Sequence, residues 1–416
     1  MKAGGGTALT FKVAAALVIG VTLGNAGANV MPVFVDDFTA RFDMSESSAG
    51  LVAAAQLMAT AVVTLLLAAR AARPGRAGMA RTGLGVAALG CLASAAAFDP
   101  MTLILASLLL GAGLGAVYAS ATAALAATDD ADKASAVTVS GTVCLTALLI
   151  MSVQVLNDSV GEGLGFVLLA LCCLPAWFLV GCLPDNPGTR QQADVPSGAV
   201  ASPRPGPSWV LLGGTALLWA VTQGAWAYAS VLGREHTGMS GTVVAAVLAV
   251  SSVVALAGAV VGPPAARTFG RMPSMAGFVA VQAVAMGVLV IATEPVLFII
   301  AAVVWQACHL AVLVQMMAAA AVLDPSGRLV ASLSGAGALG TGLGPLAVGV
   351  ILDAAGAVPL GIALALGTFV ASLPLLKMTW ASAEAAQAAD RGAPGTTEAG
   401  TTEAGPASAP AERATP

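Results

Sequence analysis

The sequence predicts an all-α polytopic membrane protein of twelve transmembrane helices, arranged as two six-helix pseudo-repeats. Three observations carry that prediction. Of 416 residues, 58% are hydrophobic and only 9% charged, where a soluble domain carries about 25% charge. That much apolar surface cannot hide in one soluble core, whereas lipid accommodates it. The apolar residues also fall into twelve runs of membrane-crossing length, and the basic residues fall almost entirely to one side of those runs. The same composition excludes a disordered chain and a coiled coil. Few aromatics (5%) and 48 glycines suit helices packed through small residues, not barrel strands of alternating polarity.

Charged or Pro/Gly-rich interruptions mark the runs at 11–34, 47–69, 80–97, 101–127, 134–157, 163–183, 208–232, 240–262, 274–293, 296–322, 329–352 and 358–378. The first is too long, and too polar at its end, to be a cleaved signal peptide. Residues 1–183 form the first half and 208–380 the second. Between them, 184–207 holds Pro184, Pro187, Pro196, Pro203, Pro205 and Pro207 among Gly, Ser and Gln, which reads as a flexible linker. The tail, 381–416, repeats Thr-Thr-Glu-Ala-Gly at 396–400 and 401–405 and is too poor in apolar residues to order itself.

An even number of spans puts both termini on one side. Fifteen Lys and Arg residues fall on that side, from Lys2 and Lys12 to Arg391 and Arg413, and only Arg41 and Arg234 fall on the other. The positive-inside rule makes the basic side cytoplasmic. The chain is expected in the cell (plasma or inner) membrane, with Asp36, Asp37, Asp43, Glu46, Asp99, Asp158, Glu162, Glu235, Glu294 and Asp353 in outer loops.

The halves echo each other. Val21-Thr22-Leu23-Gly24 returns as Val221-Thr222-Gln223-Gly224, and Met44-Ser45 as Met239-Ser240, each Ser a candidate N-cap. Ala68-x-x-x-Ala72-Arg73-Pro74-Gly75-Arg76 returns as Gly262-x-x-x-Ala266-Arg267-Thr268-Phe269-Gly270-Arg271. Three matches in order at near-constant offset indicate duplication.

Twelve spans, a long central loop and a basic Gly-Arg loop after spans two and eight resemble the major facilitator superfamily over residues 10–380. The family's loop signature is G-x-x-x-D-R-x-G-R. The first copy keeps Arg73, Gly75 and Arg76, and the second keeps Gly262, Arg267, Gly270 and Arg271. Ala72 and Ala266 stand where the Asp belongs, so both copies lack the carboxylate of the family's gating salt bridge. Positive-inside anchoring explains the same arginines without a gate. Span five lacks the Gly-rich, Pro-containing motif of drug/proton antiporters. Span eleven carries a similar run from Gly335 to Gly349 around Pro345, for which helix packing is the simpler account.

The resemblance implies a mid-membrane cavity lined by spans one, four, seven and ten. Those spans carry the polar and aromatic residues a binding site needs: Asn25 and Asn29; Tyr118 and Thr122; Trp219, Gln223 and Trp226; Trp305, Gln306 and His309. Each has a plainer role open to it, such as a helix-to-helix bond, aromatic packing or a neutral core histidine. Gln56 and Gln282 read as helix-to-helix bonds. No charged residue lies mid-span, so a phosphate, dicarboxylate or organic cation would find no fixed counter-charge. The expected substrate is a small organic molecule, neutral or amphipathic. Proton coupling would have to use Asp36, Asp37 or His309; a solvated loop face is the alternative for the two aspartates.

The expectation is a secondary active transporter working by alternating access, in the sense of proton-coupled efflux (an antiporter), with symport uptake or facilitated diffusion as the alternative. A membrane-embedded enzyme would need clustered His, Asp, Glu or Cys within the spans, and a channel a filter or charged ring; the sequence offers neither. Cys91, Cys144, Cys172, Cys173, Cys182 and Cys308 read as small packing residues. No cofactor, metal or nucleic acid is expected, and the chain is taken as a monomer in the bilayer.

Overall fold

A computed structural model describes residues 7–185, 209–324 and 328–392. The first half holds α1 (Phe11–Gly24), α2 (Ala26–Asn29), α3 (Met31–Phe42), α4 (Glu46–Ala71), α5 (Arg76–Ala95), α6 (Pro100–Leu125), α7 (Ala131–Ser159) and α8 (Leu164–Leu179). The second holds α9 (Trp209–Thr237), α10 (Gly241–Phe269), α11 (Arg271–Ile291), α12 (Pro295–Leu323), α13 (Arg328–Ala355) and α14 (Ala357–Gly392). Ten of these helices are long and apolar enough to cross a membrane; α5 and the divided first span complete the twelve. Leu66, Leu105, Val260, Val284 and Leu373 point outward, more than half exposed, as side chains solvated by lipid would.

Two elements differ from the sequence reading. Span one is not a continuous helix over 11–34. It is interrupted at Asn25 (φ −104°, ψ 3°) and again at Val30 (φ −93°, ψ 0°). Pro32 is the physical reason for the second break: it has no N–H to give Ala28, and its ring would crowd that carbonyl. The last helix also does not end near 378. It runs on to Gly392, because Ala381–Ala389 is rich in Ala, Glu and Gln, which favour helix. The linker from 186 and the tail from 393 lie outside the described residues. The serine caps appear as expected, with Ser45 accepting from Ser48 N and Ser240 from Val243 N.

Across the two halves, α4 packs along α13, α7 along α10, and α3 against α9. The glycines of span eleven make this possible. A Cβ on Gly342 would lie 2.8 Å from the Met58 methyl of α4, and one on Gly349 would strike the backbone of Glu46 in α4. The small residues thus do the packing that their composition suggested. Among the described residues, α1 and α6 make no extensive packing with α9 or α12. Polar ties between the halves gather at the end carrying Asp36, Glu46, Asp158 and Asp353 (the acidic end).

Candidate functional site

The break in span one places its two asparagines where helices from both halves converge. Asn25 Nδ2 donates to Asn29 Oδ1 (3.1 Å), and Asn29 Nδ2 donates to Thr146 Oγ1 on α7 (3.0 Å). From the other half, Trp226 Nε1 donates to the Asn29 backbone carbonyl (3.1 Å). That carbonyl stands at a helix break, where backbone groups are free to bond elsewhere. Trp226 lies against Trp305, with ring centroids 6.2 Å apart and planes tilted 60°. Asn29 is thus the node of a polar and aromatic cluster drawn from spans one, five, seven and ten.

A second pair sits nearby in the second half. The rings of Trp219 and His309 meet edge to face at 5.7 Å. The His309 Nδ1 and Trp305 Nε1 atoms are buried without a hydrogen-bond partner, and an unpaired buried polar atom costs about 1–3 kcal/mol unless a water or ligand satisfies it. Gln223 and Gln306 are half-buried. Tyr118 is half-buried too, and its backbone lies against Gly24, where a Cβ would come within 2.6 Å of Tyr118 Cα. The Thr122 hydroxyl turns back to its own helix, donating to Tyr118 O (2.8 Å). Span four therefore offers the tyrosine more than the threonine.

Two buried glutamines have no hydrogen-bonded neighbours to match the sequence reading. Gln56 and Gln282 are fully buried, and neither amide atom of either residue has a partner. Gln56 Nε2 lies close beside Gly27 in the interrupted part of span one. Thr146 was missed by sequence reasoning, since one threonine in an apolar span carries no signal of its own.

Asp36 and Asp37 lie past the apolar run of span one, yet both are buried rather than on a solvated face. Asp36 Oδ2 pairs with Arg234 Nη1 of the other half at 2.7 Å. Burial raises the Asp36 carboxyl above its ordinary range, and Arg234 partly offsets this. Asp37 Oδ1 accepts from Gly163 N (2.7 Å) and Asn157 Nδ2 (3.3 Å), while Oδ2 has no partner. Burial pushes Asp37 up to about 6 against the Gly163 hydrogen bond and the charge of Arg41. These aspartates, with Asp158, Glu162, Glu235 and Arg234, line an inter-half cavity of about 710 Å³.

At the basic end, the loop after span two is tied inside its own half. Asp185, at the end of span six, accepts from Gly75 N (2.8 Å) and Arg76 N (2.8 Å). The carboxylate at this loop comes from the end of span six, not from position 72. Gly75 takes the left-handed backbone this turn requires (φ 104°). Arg76 is buried, its guanidinium on the carbonyls of Ala71 (2.7 Å), Pro184 (3.0 Å) and Ala72 (3.2 Å). In the second copy Gly270 also has positive φ (89°), but Arg271 Nη1 is buried without a partner. Arg73 and Arg267 are exposed. None of these contacts reaches the other half.

No curated protein matches the sequence. Among solved structures, the chain is similar to a peptide transporter POT (TM-score 0.71, 12% identity, 91% of this chain and 97% of that one). It is similar also to the nucleoside transporter NupG (0.68, 12%, 90% and 100%) and to a bacterial homologue of the human lysosomal transporter Spinster (0.65, 17%, 91% and 96%). These likenesses show the fold. Residues 16–326, most of the chain, match the profile of the Major Facilitator Superfamily, and the chain belongs to that family of transporters, which are not enzymes.

Proposed function

We propose that the chain moves a small organic solute, neutral or amphipathic, between two rocking six-helix units, 1–183 and 208–380. The acidic end faces outward and both termini face the cytoplasm of the plasma or inner membrane. The observation that carries this reading is the Asn25–Asn29–Thr146 chain closed by Trp226 and Trp305 from the other half. It offers amide, hydroxyl and aromatic surfaces without a fixed charge. A solute that competes for Asn29 would couple its own binding to the contact between the halves. The neighbours named as peptide and nucleoside transporters, and one solved with 5-aminolevulinic acid, support a small organic substrate class.

Proton-coupled efflux fits best. A resting state closed at the acidic end loads solute from the cytoplasm, and Asp36, Asp37 and His309 are the groups able to exchange a proton. The test of the site is transport of a panel of labelled small organic solutes by everted vesicles. For a solute that is moved, Asn29→Ala should raise KM roughly threefold to twentyfold, the range expected for one hydrogen bond in a membrane interior. Trp226→Ala should raise it through lost stacking and burial. Unchanged KM in both variants would remove the site from this cluster.

A further inference from the structure

We propose that Asp158 and Asp353 are a repeat-related pair of latches that hold the acidic end closed and so position the resting state of transport. The proposal rests on the alternating-access reading above. Asp353 lies near the end of α13. Its Oδ1 accepts from Glu46 N (3.1 Å) and its Oδ2 from Ser47 N (2.8 Å), the first two N–H groups of α4 in the opposite half. A shift of 195 residues maps Asp353 onto Asp158, and Glu46-Ser47 onto Gly241-Thr242. Asp158 lies near the end of α7, and its Oδ2 accepts from Thr242 Oγ1 (2.7 Å) in the first turn of α10, again across the halves. Gln154 Nε2 steadies its other oxygen at 2.8 Å. A Cβ on Gly241 would stand 3.5 Å from the same Asp158 oxygen, so the carboxylate sits over the helix start.

Each half thus lends one carboxylate, from the end of its fifth span, to the start of the other half's second span. The helix dipole gives the arrangement a direction. A carboxylate near the C-terminus of its own helix faces the negative end, where charge is disfavoured; at the N-terminus of a partner helix it is favoured. Ser45 and Ser240, also 195 apart, cap α4 and α10 from within their own half. Separating the halves at this end leaves the helices their serines and strips both aspartates of their only favourable helix terminus. The Asp36–Arg234 pair is a third tie with no counterpart, since the repeat positions are Val231 and Thr39.

The test measures spin-label distances in lipid on a cysteine-free background. Phe98→Cys with Thr293→Cys reports on the acidic end and Gly78→Cys with Met272→Cys on the basic end; all four positions are exposed, and a side chain on Gly78 meets open space. Asp158→Asn and Asp353→Asn should each raise the open-to-closed ratio at the acidic end by roughly two- to fivefold, and together by roughly four- to twenty-five-fold. The basic end should narrow in step. Asp99→Ala, which removes a cap within its own half, should lower thermal stability and leave the ratio unchanged. Unaltered distances in both single variants and the double overturn the latch and leave alternating access standing. Widening at the acidic end with no narrowing at the basic end upholds the latch and contradicts alternating access. Should the double variant fail to fold, the single variants carry the test.

Discussion

The two ends of the bundle use the same chemistry for opposite purposes. At the basic end, Asp185 and Arg76 tie a loop to the end of span six in the same half. At the acidic end, Asp36, Asp158 and Asp353 reach groups of the other half. A carboxylate that meets a helix start therefore braces one half in the first case and joins two halves in the second. The difference teaches where stability and conformational balance reside. Variants at the basic end should change how firmly a half folds, and variants at the acidic end should change which conformation is populated.

The largest effect should come from the brace. Arg76→Ala removes a buried guanidinium from three carbonyls and should cost about 3 kcal/mol, since charged hydrogen bonds are worth about 1.5–3 kcal/mol and the carbonyls lose their partner. Arg271→Ala should cost less than half of that, because Arg271 Nη1 already has no partner. Thermal unfolding in detergent compares the two; equal losses would erase the distinction between the loops.

Next comes the buried carboxyl at the acidic end. The folded-state pKa of Asp37, about 6, lies above the unfolded value of about 3.9. The folded state then holds the proton more tightly, so this group's contribution to stability falls as pH rises from about 4 through 6. Asp37→Asn should abolish that part of the pH dependence and be the more stable form at pH 7 by about 2–3 kcal/mol. A wild-type and variant difference that is flat between pH 4 and 7 would refute the shift. Smaller again is Arg234→Gln, which frees Asp36. It leaves the buried Asp36 carboxyl without that counter-charge; because Arg234 is itself 42% exposed, the loss should stay near about 1–2 kcal/mol, while acidic-end opening rises severalfold in the spin-label measurement. A large loss of stability without opening would make the pair a brace and not a latch. The smallest effect belongs to the tail. Truncation after Gly392 should leave expression and unfolding temperature near wild type, and lost membrane expression would show otherwise.

The spans were legible because hydropathy is a one-dimensional signal, and the basic loops because charge asymmetry is one too. The interruption of span one was less visible, although Pro32 and the flanking glycines mark it once sought. Asn25, Asn29, Trp226 and Trp305 were read from their polarity and aromaticity within apolar runs, and the fold gathers them. Thr146 escaped, and Gln56 was read as a helix-to-helix bond it does not make, because the role of each depends on which helix lies opposite. Asp185 stands 109 residues from Arg76, a separation no local motif can bridge. Asp158 and Asp353 were read as loop acids, yet the 195-residue offset already related them.

The most direct measurement of the central claim is gradient-driven transport. Purified protein in liposomes, offered a panel of labelled organic solutes with and without an imposed pH gradient, should accumulate at least one neutral or amphipathic solute only when the gradient is present. Asp36→Asn, Asp37→Asn or His309→Gln should abolish that accumulation while leaving passive exchange of the solute intact. Transport that ignores the gradient, or that survives all three substitutions undiminished, would contradict proton coupling and make the chain a facilitator or a carrier driven by another ion.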